Sequence, residues 1–561
     1  MRNLVDDLRF ARRMYARRRR FTALLVATIA VGVGAATSIF SLVDVVIWKQ
    51  LPYRDAKRLY WIARTDTSWR ASPVLARVWD NLSHSLADYR QWASTQRSFE
   101  ETGAWFATNA ALTTRDGAEQ IVVARATATL APLLGVRLHL GRWFLSGEDD
   151  RGGPHIAVLS FESWRNRYGA DSTVIGRSVT LNGQPVEVIG VLPPRFQIAG
   201  DTARIELWTP AGVSAGDWQR GNFNFRVYGR LRDNISPAAA TREAEALLTG
   251  NQSDGAVGVR LERLQDETTR SVRAPLVILV AAAALLLVIA CGNVASLLVG
   301  ESASRETEIA TRMSLGATRG RVARQLVTEH LLLAIVGGAV GSALAAGAVR
   351  VLRSMAPAGI PRIETAHLDW RGVAFAVSVT LVTALVFSIG PFATLLREGQ
   401  SSVLRAGSSR VTRQRGWIER GGVFVQCALV VVLLAGATLL VRTHRELVAV
   451  DVGFRAQKLL SVRLRFLPPV TRYRDVDSRR ALLNELATRV ATIPGVDRAA
   501  AAYAVPFQGV SSTEIHVSGS VAVAEHDPVA GTYVIASPGL FETMGIALSA
   551  GRLFSVVDEA P

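Results

Sequence analysis

Residues 275–299 read PLVILVAAAALLLVIACGNVASLLV, a run without a single charged side chain. An α-helix rises 1.5 Å per residue, so a run of this length can cross roughly 30 Å of hydrocarbon. Four further apolar spans lie near residues 21–47, 331–352, 372–396 and 421–441. The pattern predicts an α-helical membrane protein with about five transmembrane helices.

Two long stretches between and after the spans have the composition of folded domains, about residues 48–272 and 442–561. In the first, Ser178–Leu181 and Val186–Val191 flank an Asn-Gly pair, which is typical of a tight β-hairpin. Ser236–Pro237 predicts a helix start, with Ser as the N-cap and Pro in the first turn. We therefore expect mixed α+β domains outside the membrane.

The second stretch has the pattern of a β-α-β unit. Residues 460–466 alternate between apolar and polar side chains, as in a strand. A helical pattern of apolar residues covers 482–490 and ends at Pro494–Gly495, and another apolar run covers 499–505. We expect a helix between two strands.

The basic residues predict the orientation. The chain has 64 Lys and Arg against 47 Asp and Glu, a net charge of +17. The arginines concentrate in residues 1–20, 305–324 and 397–420, whereas the connection between spans three and four has only Arg353, Arg362 and Arg371. Short basic connections stay in the cytoplasm. The N-terminus is thus expected inside and both domains outside, and this placement argues against nucleic-acid binding.

The N-terminal segment 1–20 is amphipathic, with Leu4, Leu8 and Tyr15 on one face and arginines on the other. Such a helix would lie along the cytoplasmic membrane surface. A frayed basic tail is the alternative. The following span, 21–47, is longer than the apolar region of a signal peptide, which favours an uncleaved helix.

The connection between spans two and three is the segment most suggestive of function. Glu308 and Arg312 are spaced i, i+4 and can pair on one face of a short helix, with Ile309 and Met313 on an adjacent face. Gly316 suits the C′ position of that helix. The pattern fits a docking surface, and an ordinary solvated turn is the alternative. The candidate docking residues are Arg305, Glu306, Glu308, Ile309, Arg312, Met313, Leu315, Gly316 and Ala317.

Catalytic and cofactor motifs are missing from the sequence. The only lysines are Lys49, Lys57 and Lys458, and none lies in a Gly-x-x-x-x-Gly-Lys phosphate-binding loop. The two cysteines, Cys291 and Cys427, both fall inside apolar spans. We predict a protein that is not an enzyme, with no catalytic, cofactor or metal residues and no directly bound cofactor. Energy from ATP would have to come through a partner subunit.

The spans carry few ionisable residues. Asp44 lies at the outer end of the first span. A proton- or ion-coupled carrier is expected to place ionisable groups in the middle of the membrane. The sequence therefore argues against such a carrier.

A motif recurs 410 positions further along the chain. Residues 135–144 read GVRLHLGRWF and residues 545–554 read GIALSAGRLF, and the fifth span follows the first at a similar distance. This predicts a duplicated unit of one helix, an outer domain and three helices. The second copy would lack its closing helices, so we expect a fragment of a protein of roughly 800 residues.

Together these features resemble the permeases of the MacB/FtsX type of ABC transporter, in particular duplicated acidobacterial permeases without a fused ATPase. The segments that carry the resemblance are 30–42 (AVGVGAATSIFSL), 158–194, 293–295, 308–317, 453–454, 494–496 and 537–552. The implied domains are a cytoplasmic amphipathic helix (1–20), transmembrane helix 1 (21–47), a MacB-like periplasmic core domain (48–272), an FtsX-like permease domain with transmembrane helices 2–4 (273–400), a cytoplasmic linker (401–420), transmembrane helix 5 (421–441) and a second, incomplete MacB-like periplasmic domain (442–561).

The resemblance also implies a function. It predicts a multi-pass protein of the bacterial inner (plasma) membrane that binds a separate ABC ATPase subunit at residues 305–317. ATP-driven closure would be passed mechanically to the periplasmic domains for efflux or extrusion. Membrane lipid, a homodimer or pseudo-dimer, and a periplasmic or outer-membrane partner are further expectations. The alternatives are a non-transporting regulator that relays an ATPase cycle to a periplasmic partner, and an orphan that meets no ATPase.

Overall fold

The computed structural model describes residues 2–71, 76, 78–114, 117–200, 204–212, 224–249, 257–304, 311, 315, 318–355, 360–397, 409–455, 457–464, 475–503, 511–515 and 529–559. The chain divides into two compact units. The span unit consists of Met1–Gln50 and Thr268–Ala449. The lobe unit consists of Leu51–Glu267, which we call the first lobe, and Val450–Pro561, which we call the second lobe.

The α-helices and β-strands of the described residues are numbered in chain order. The helices are α1 (Arg2–Arg17), α2 (Arg19–Val43), α3 (Leu86–Thr95), α4 (Leu130–Leu134), α5 (Phe161–Tyr168), α6 (Pro237–Thr249), α7 (Leu264–Ser304), α8 (Arg319–Met355), α9 (Trp370–Arg397), α10 (Ser409–Ala449), α11 (Val476–Ala491) and α12 (Leu540–Met544). The strands are β1 (Leu59–Asp66), β2 (Phe99–Thr114), β3 (Gly117–Ala126), β4 (Leu140–Gly141), β5 (Ile156–Leu159), β6 (Ser178–Leu181), β7 (Gln184–Val191), β8 (Leu207–Pro210), β9 (Arg226–Leu231), β10 (Val257–Arg263), β11 (Ser511–Ile515) and β12 (Val529–Tyr533).

Among its described residues, the span unit contains five helices that are long and apolar enough to cross a membrane, as the sequence predicts. Their apolar segments are Arg19–Trp48, Leu264–Leu298, Gly320–Met355, Trp370–Phe387 and Gly421–Ala449. The first of these comprises α2 and a five-residue π-helix, Asp44–Trp48, that continues it.

Glycines allow α2 and α8 to pack closely. A Cβ atom added to Gly34 would lie 3.0 Å from the carbonyl oxygen of Gly341, and one added to Gly337 would lie 2.6 Å from Ile29 Cγ2. Small residues let helix backbones approach each other in an apolar environment, where dispersion rather than the hydrophobic effect drives association. The small residues in these spans thus serve packing.

The first lobe is built on a ten-stranded sheet with the order β10-β1-β9-β2-β3-β8-β5-β7-β4, and β6 pairs with β2 and β7. β6 and β7 form the predicted antiparallel hairpin. Its turn residues, Asn182 and Gly183, have φ angles of 52° and 76°, as this tight turn requires. The predicted helix start is also confirmed, because Ser236 Oγ accepts a hydrogen bond of 3.2 Å from Ala239 N at the beginning of α6.

Both faces of this sheet are covered by apolar side chains. Trp61, Trp105 and Trp208 pack on one side. On the other side, Phe99 and Phe225 pack against α3 and α6. The sheet is therefore the central layer of the first lobe, with a core on each face.

In the second lobe, the predicted helix is confirmed as α11, and the predicted flanking strands are wrong for the described residues. Residues 457–464 form no strand, and Leu460 is 89% exposed. From residues 499–503, only Ala502 forms an isolated bridge, to Ala536. The physical reason is pairing: β1 of the first lobe is held between β9 and β10, whereas no ladder partner exists for 457–464 among the described residues. An alternating pattern alone does not stabilise an isolated strand.

The repeated motif has the same local structure at both places in the chain. Arg54 N donates to Leu134 O over 3.0 Å in the first lobe, and Arg455 N donates to Met544 O over 2.8 Å in the second. The residues that follow α4 and α12, Gly135 and Gly545, share a φ of 69° and a ψ of 29°. The two copies therefore close the same turn in the same way.

A paired arginine beyond this turn repeats as well. Arg142 donates to both carboxylate oxygens of Glu148 over 2.7 and 2.8 Å. Arg552 makes the same bidentate contact with Asp558 over 2.6 and 2.8 Å. Glu has become Asp, and the fork geometry that favours arginine is retained.

Candidate functional site beside the α7–α8 connection

The predicted docking residues lie mostly outside the described residues. Of the nine, the structure describes Leu315, which is 81% exposed. The other eight, Arg305, Glu306, Glu308, Ile309, Arg312, Met313, Gly316 and Ala317, are not among them. Leu315 N donates to Thr311 O over 3.1 Å, a bond with helical spacing. The docking assignment remains a prediction, and the described residues define the frame around it.

The elbow between α1 and α2 forms one side of this frame. Arg18 breaks the helix with φ −110° and ψ 56°. Tyr15 Oη donates to Glu329 O in α8 over 3.3 Å, and Thr22 Oγ1 donates to Tyr15 O over 3.0 Å. The predicted N-terminal helix is thus held against α8, and Ala11 on it is completely buried.

An ion pair joins the elbow to α7. Arg18 Nη1 lies 2.5 Å from Glu301 Oε2, one turn before α7 ends at Ser304. The pair is partly exposed, and such pairs contribute at most about 1 kcal/mol. Its effect is therefore to position the end of α7, where the α7–α8 connection begins.

A small pocket lined by both apolar and polar side chains lies beneath the elbow. Its volume is about 20 Å³, room for about one water molecule, and Met14, Phe21 and Leu298 are among its lining residues. Glu329 and His330 of α8 also line it, and both are buried. Gln325 Nε2 donates to Glu329 Oε1 over 3.0 Å. The elbow thus covers the N-terminal part of α8, which follows the α7–α8 connection.

The first lobe joins its entry and exit through hydrogen bonds. Leu51 N donates to Gln265 Oε1 over 3.1 Å. Tyr53 Oη donates to Gln197 O over 2.7 Å, and Tyr228 Oη donates to Ala199 O over 2.5 Å. Burial raises the pKa of Tyr228 far above its usual range, so its hydroxyl stays a neutral donor. The ends of the first lobe are therefore fixed to one another.

Sequence reasoning missed the elbow contacts. Arg18 and Glu301 are 283 residues apart, and Arg18 is one of a run of four arginines, Arg17 to Arg20. No spacing pattern distinguishes it from its neighbours. The polar pair Glu329 and His330, just before an apolar span, was the one visible signal.

The architecture defines a class: a protein with five apolar helices and a folded lobe inserted between the first and the second. Residues 22–247 match the MacB-like periplasmic core domain, and residues 280–398 match the FtsX-like permease C-terminal domain. The chain belongs to the permeases of the MacB/FtsX type of ABC transporter.

Two relatives illustrate the similarity. Over 216 residues the chain is 29% identical to the macrolide export ATP-binding/permease protein MacB of Chromobacterium violaceum, covering 38% of this chain and 33% of that protein. Over 259 residues it is 24% identical to the uncharacterized ABC transporter permease YknZ of Bacillus subtilis, covering 46% of this chain and 62% of that protein. The chain thus spans a third of the length of this MacB.

Among solved structures, the periplasmic region of MacB from Actinobacillus actinomycetemcomitans aligns with a TM-score of 0.30 and 14% identity, covering 39% of this chain and 93% of that one. The extracellular domain of the transporter YknZ aligns with a TM-score of 0.28 and 17% identity, covering 36% and 99%.

Proposed function

We propose that this chain is the permease subunit that couples ATP hydrolysis by a separate ATPase subunit to movements of its lobes, for efflux or extrusion. It would cross the bacterial inner membrane with its N-terminus in the cytoplasm and its lobes in the periplasm. The ATPase would dock on residues 305–317. Movement of the lobes in the periplasm would drive efflux or extrusion, and cargo would not pass along a path between the helices.

The observation that carries this proposal is the continuity of α7. The helix has 41 residues, about 60 Å at 1.5 Å per residue. Its first residue, Leu264, is completely buried in the core of the first lobe. Its last residue, Ser304, directly precedes the proposed docking segment. One secondary-structure element thus joins the place where the ATPase would bind to the place where movement is needed.

The elbow supports the same proposal. Arg18 positions the end of α7, and Tyr15 bonds to α8. Both helices that flank the docking segment are therefore in contact with the elbow. A displacement of the docking segment would act on α7, α8 and the elbow together.

Co-purification of an ATPase subunit tests this function. The charge swap Glu308→Arg with Arg312→Glu keeps an i, i+4 pair but inverts the charges offered to a partner, so we expect it to abolish co-purification. The matched control is the swap Arg442→Glu with Glu446→Arg, an exposed i, i+4 pair of α10 at 2.8 Å. Retained ATPase binding in the first swap, or equal loss in both, would remove the docking assignment.

The second candidate is a non-transporting regulator that relays the ATPase cycle to a periplasmic partner such as a cell-wall hydrolase. Thr380 and Thr383 donate hydrogen bonds over 2.7 Å to carbonyl oxygens of their own helix. Polar groups that are satisfied within their helix fit a regulator as well as they fit an extrusion permease. Reconstituted vesicles separate the two. ATP-dependent movement of a compound or a lipoprotein supports extrusion, whereas ATPase binding without any movement supports the regulator.

A further inference from the structure

Three polar contacts fasten the segment that follows α2, Asp44–Lys49, to the α8–α9 connection and to the first turn of α9. Arg371 Nη1 lies 2.8 Å from Asp44 Oδ1. Lys49 Nζ lies 3.7 Å from Asp369 Oδ2. Arg362 Nη1 donates to the carbonyl oxygen of Lys49 over 2.7 Å. We call these five residues the clasp, and all of them belong to the span unit.

The backbone on both sides of the clasp departs from regular geometry. Asp44–Trp48 is a π-helix, a form that is rare and frequently occurs at functional sites. Arg362 has a φ of 61°, in the left-handed region that residues with a Cβ seldom adopt. Unfavourable local conformations persist only where surrounding contacts enforce them. One of the contacts that Arg362 makes here is the bond to the carbonyl oxygen of Lys49.

Residues of α2 and α9 pack directly beside the clasp. The rings of Phe40 and Phe375 are stacked, with centroids 4.1 Å apart and an interplanar angle of 7°. A Cβ atom added to Gly372 would lie 2.8 Å from Ser41 Oγ. α2 and α9 are therefore in direct contact beside the ion pair.

Burial of the Asp44 carboxylate at the end of α2 is energetically unfavourable. Its side chain is 2% exposed, whereas that of Arg371 is 41% exposed. Neither carboxylate oxygen of Asp44 accepts a hydrogen bond within the described part of the chain, so Arg371 holds it as an ion pair alone. Replacing both partners of a buried ion pair by apolar side chains is often neutral or stabilising. Stability does not explain this aspartate, whereas a fixed register between α2 and α9 does.

Building on the proposed function, we propose that Asp44 and Arg371 are positioning residues for the transmission of movement. They make the end of α2 move together with the α8–α9 connection. That end of α2 leads through Gln50 directly to Leu51, where the first lobe begins. Movement of α8 and α9 is thus transmitted to the start of the first lobe at Leu51, in addition to the end of the first lobe at α7.

A disulfide-trapping experiment tests the clasp without an ATPase. Ser41→Cys with Gly372→Cys, in the full chain with Cys291→Ala and Cys427→Ala, places two thiols within reach across α2 and α9. We expect rapid oxidation in membranes and a rate about tenfold lower after Arg371→Gln, with Asp44→Asn giving a similar loss. Because the two groups act as a pair, the double variant should lose less than the two single losses combined.

The control for this experiment is Arg442→Gln, which breaks an exposed ion pair in the helix that the internal repeat matches to α2. It should leave the rate within about twofold. Rates within twofold of the parent for both Arg371→Gln and Asp44→Asn would overturn the clasp. Asp44→Asn keeps the side-chain size, so its result stands even if Arg371→Gln folds poorly.

The transmission step is tested by rescue, using the ATPase that co-purifies with the chain. Hydrogen exchange in β1 is compared between the nucleotide-free and the ATP-vanadate state. Arg371→Gln should keep the ATPase bound but reduce the difference about fivefold, and oxidation of the Ser41→Cys, Gly372→Cys pair should restore it. A normal response in Arg371→Gln, or a failed rescue, would refute transmission through the clasp. A parent chain without any response would refute the proposed function instead, and the trapping rates would still decide on the clasp.

Discussion

Arg230 offers the sharpest test of how the first lobe is held together. This residue of β9 is 1% exposed. Its guanidinium donates to the carbonyl oxygen of Arg54 over 2.5 Å and also to that of Leu133. These two carbonyls belong to the entry segment and to α4, the elements that the bond from Arg54 N to Leu134 O already joins. Arg230→Ala removes both bonds from the middle of this junction.

The expected loss follows from these contacts. A hydrogen bond from a charged donor contributes about 1.5–3 kcal/mol, so two contribute about 3–6 kcal/mol. Relief from the burial of a guanidinium offsets part of this, which leaves a loss of about 3 kcal/mol. At 1.4 kcal/mol per factor of ten, the unfolded population of the first lobe rises about 100-fold.

Pulse proteolysis of the full chain in detergent, over a series of urea concentrations, measures this loss as cleavage within the first lobe. Arg232→Ala is the matched control, because Arg232 donates to the carbonyl of Arg97 over 2.9 Å from an exposed position. It should cost no more than about 0.5 kcal/mol. A loss below about 1 kcal/mol for Arg230→Ala, or one equal to that of the control, would refute the role of the buried guanidinium.

Two further predictions use the same assay. Burial lowers the pKa of His84 to about 4 from its usual value of 6.5, so the unfolded chain takes up the extra proton first as the pH falls. The contribution of neutral His84 to the free energy of unfolding is complete above pH 6.5. It decreases by up to about 3 kcal/mol as the pH falls to 4. The variant His84→Gln should lack this part of the pH dependence. Gly135→Ala should cost about 2–3 kcal/mol and Gly545→Ala only about 1 kcal/mol. Both have a φ of 69°, but the new Cβ would lie 2.6 Å from Arg54 Cβ in the first lobe and 2.9 Å from the movable Arg455 Cδ in the second. For Gly545→Ala the cleavage is followed within the second lobe, and equal shifts of the urea midpoint from the parent chain for the two glycine variants would contradict this.

The parts of the fold that sequence reasoning predicted are those that local chemistry determines. The five spans follow from runs of apolar residues long enough to be read without any partner. The β6–β7 hairpin follows from Asn182 and Gly183, since few other pairs tolerate two positive φ angles. α6 follows from its cap at Ser236–Pro237, and α11 follows from the helical pattern of apolar residues over 482–490.

The parts that it did not predict depend on distant partners. Residues 460–464 have the alternation of a strand but no ladder in the described structure, because alternation says nothing about what lies alongside. Asp44 was visible as a charge at the end of a span, whereas nothing in the sequence distinguished Arg371 from the two other arginines of its connection as the partner of Asp44. In the same way, the sequence located the proposed docking segment but not the contact of Arg18 with Glu301 beside it. Pairing between residues far apart in the sequence leaves no local pattern. The contacts of Asp44 with Arg371 and of Arg18 with Glu301 could therefore be identified only from the structure.

The location of buried charge bears on how such a permease works. The fully buried ionisable side chains in the described part of the span unit are Asp44, at the end of α2, and Glu329 and His330, which precede the apolar stretch 331–352. A proton- or ion-coupled carrier needs such groups where the ion crosses, in the middle of the spans. Here Asp44 lies where α2 meets Arg371 at the start of α9, and Glu329 and His330 line the pocket beneath the elbow. Ionisable groups in these positions can hold neighbouring helices in register. Within the described residues, their distribution differs from the one expected of an ion-coupled carrier.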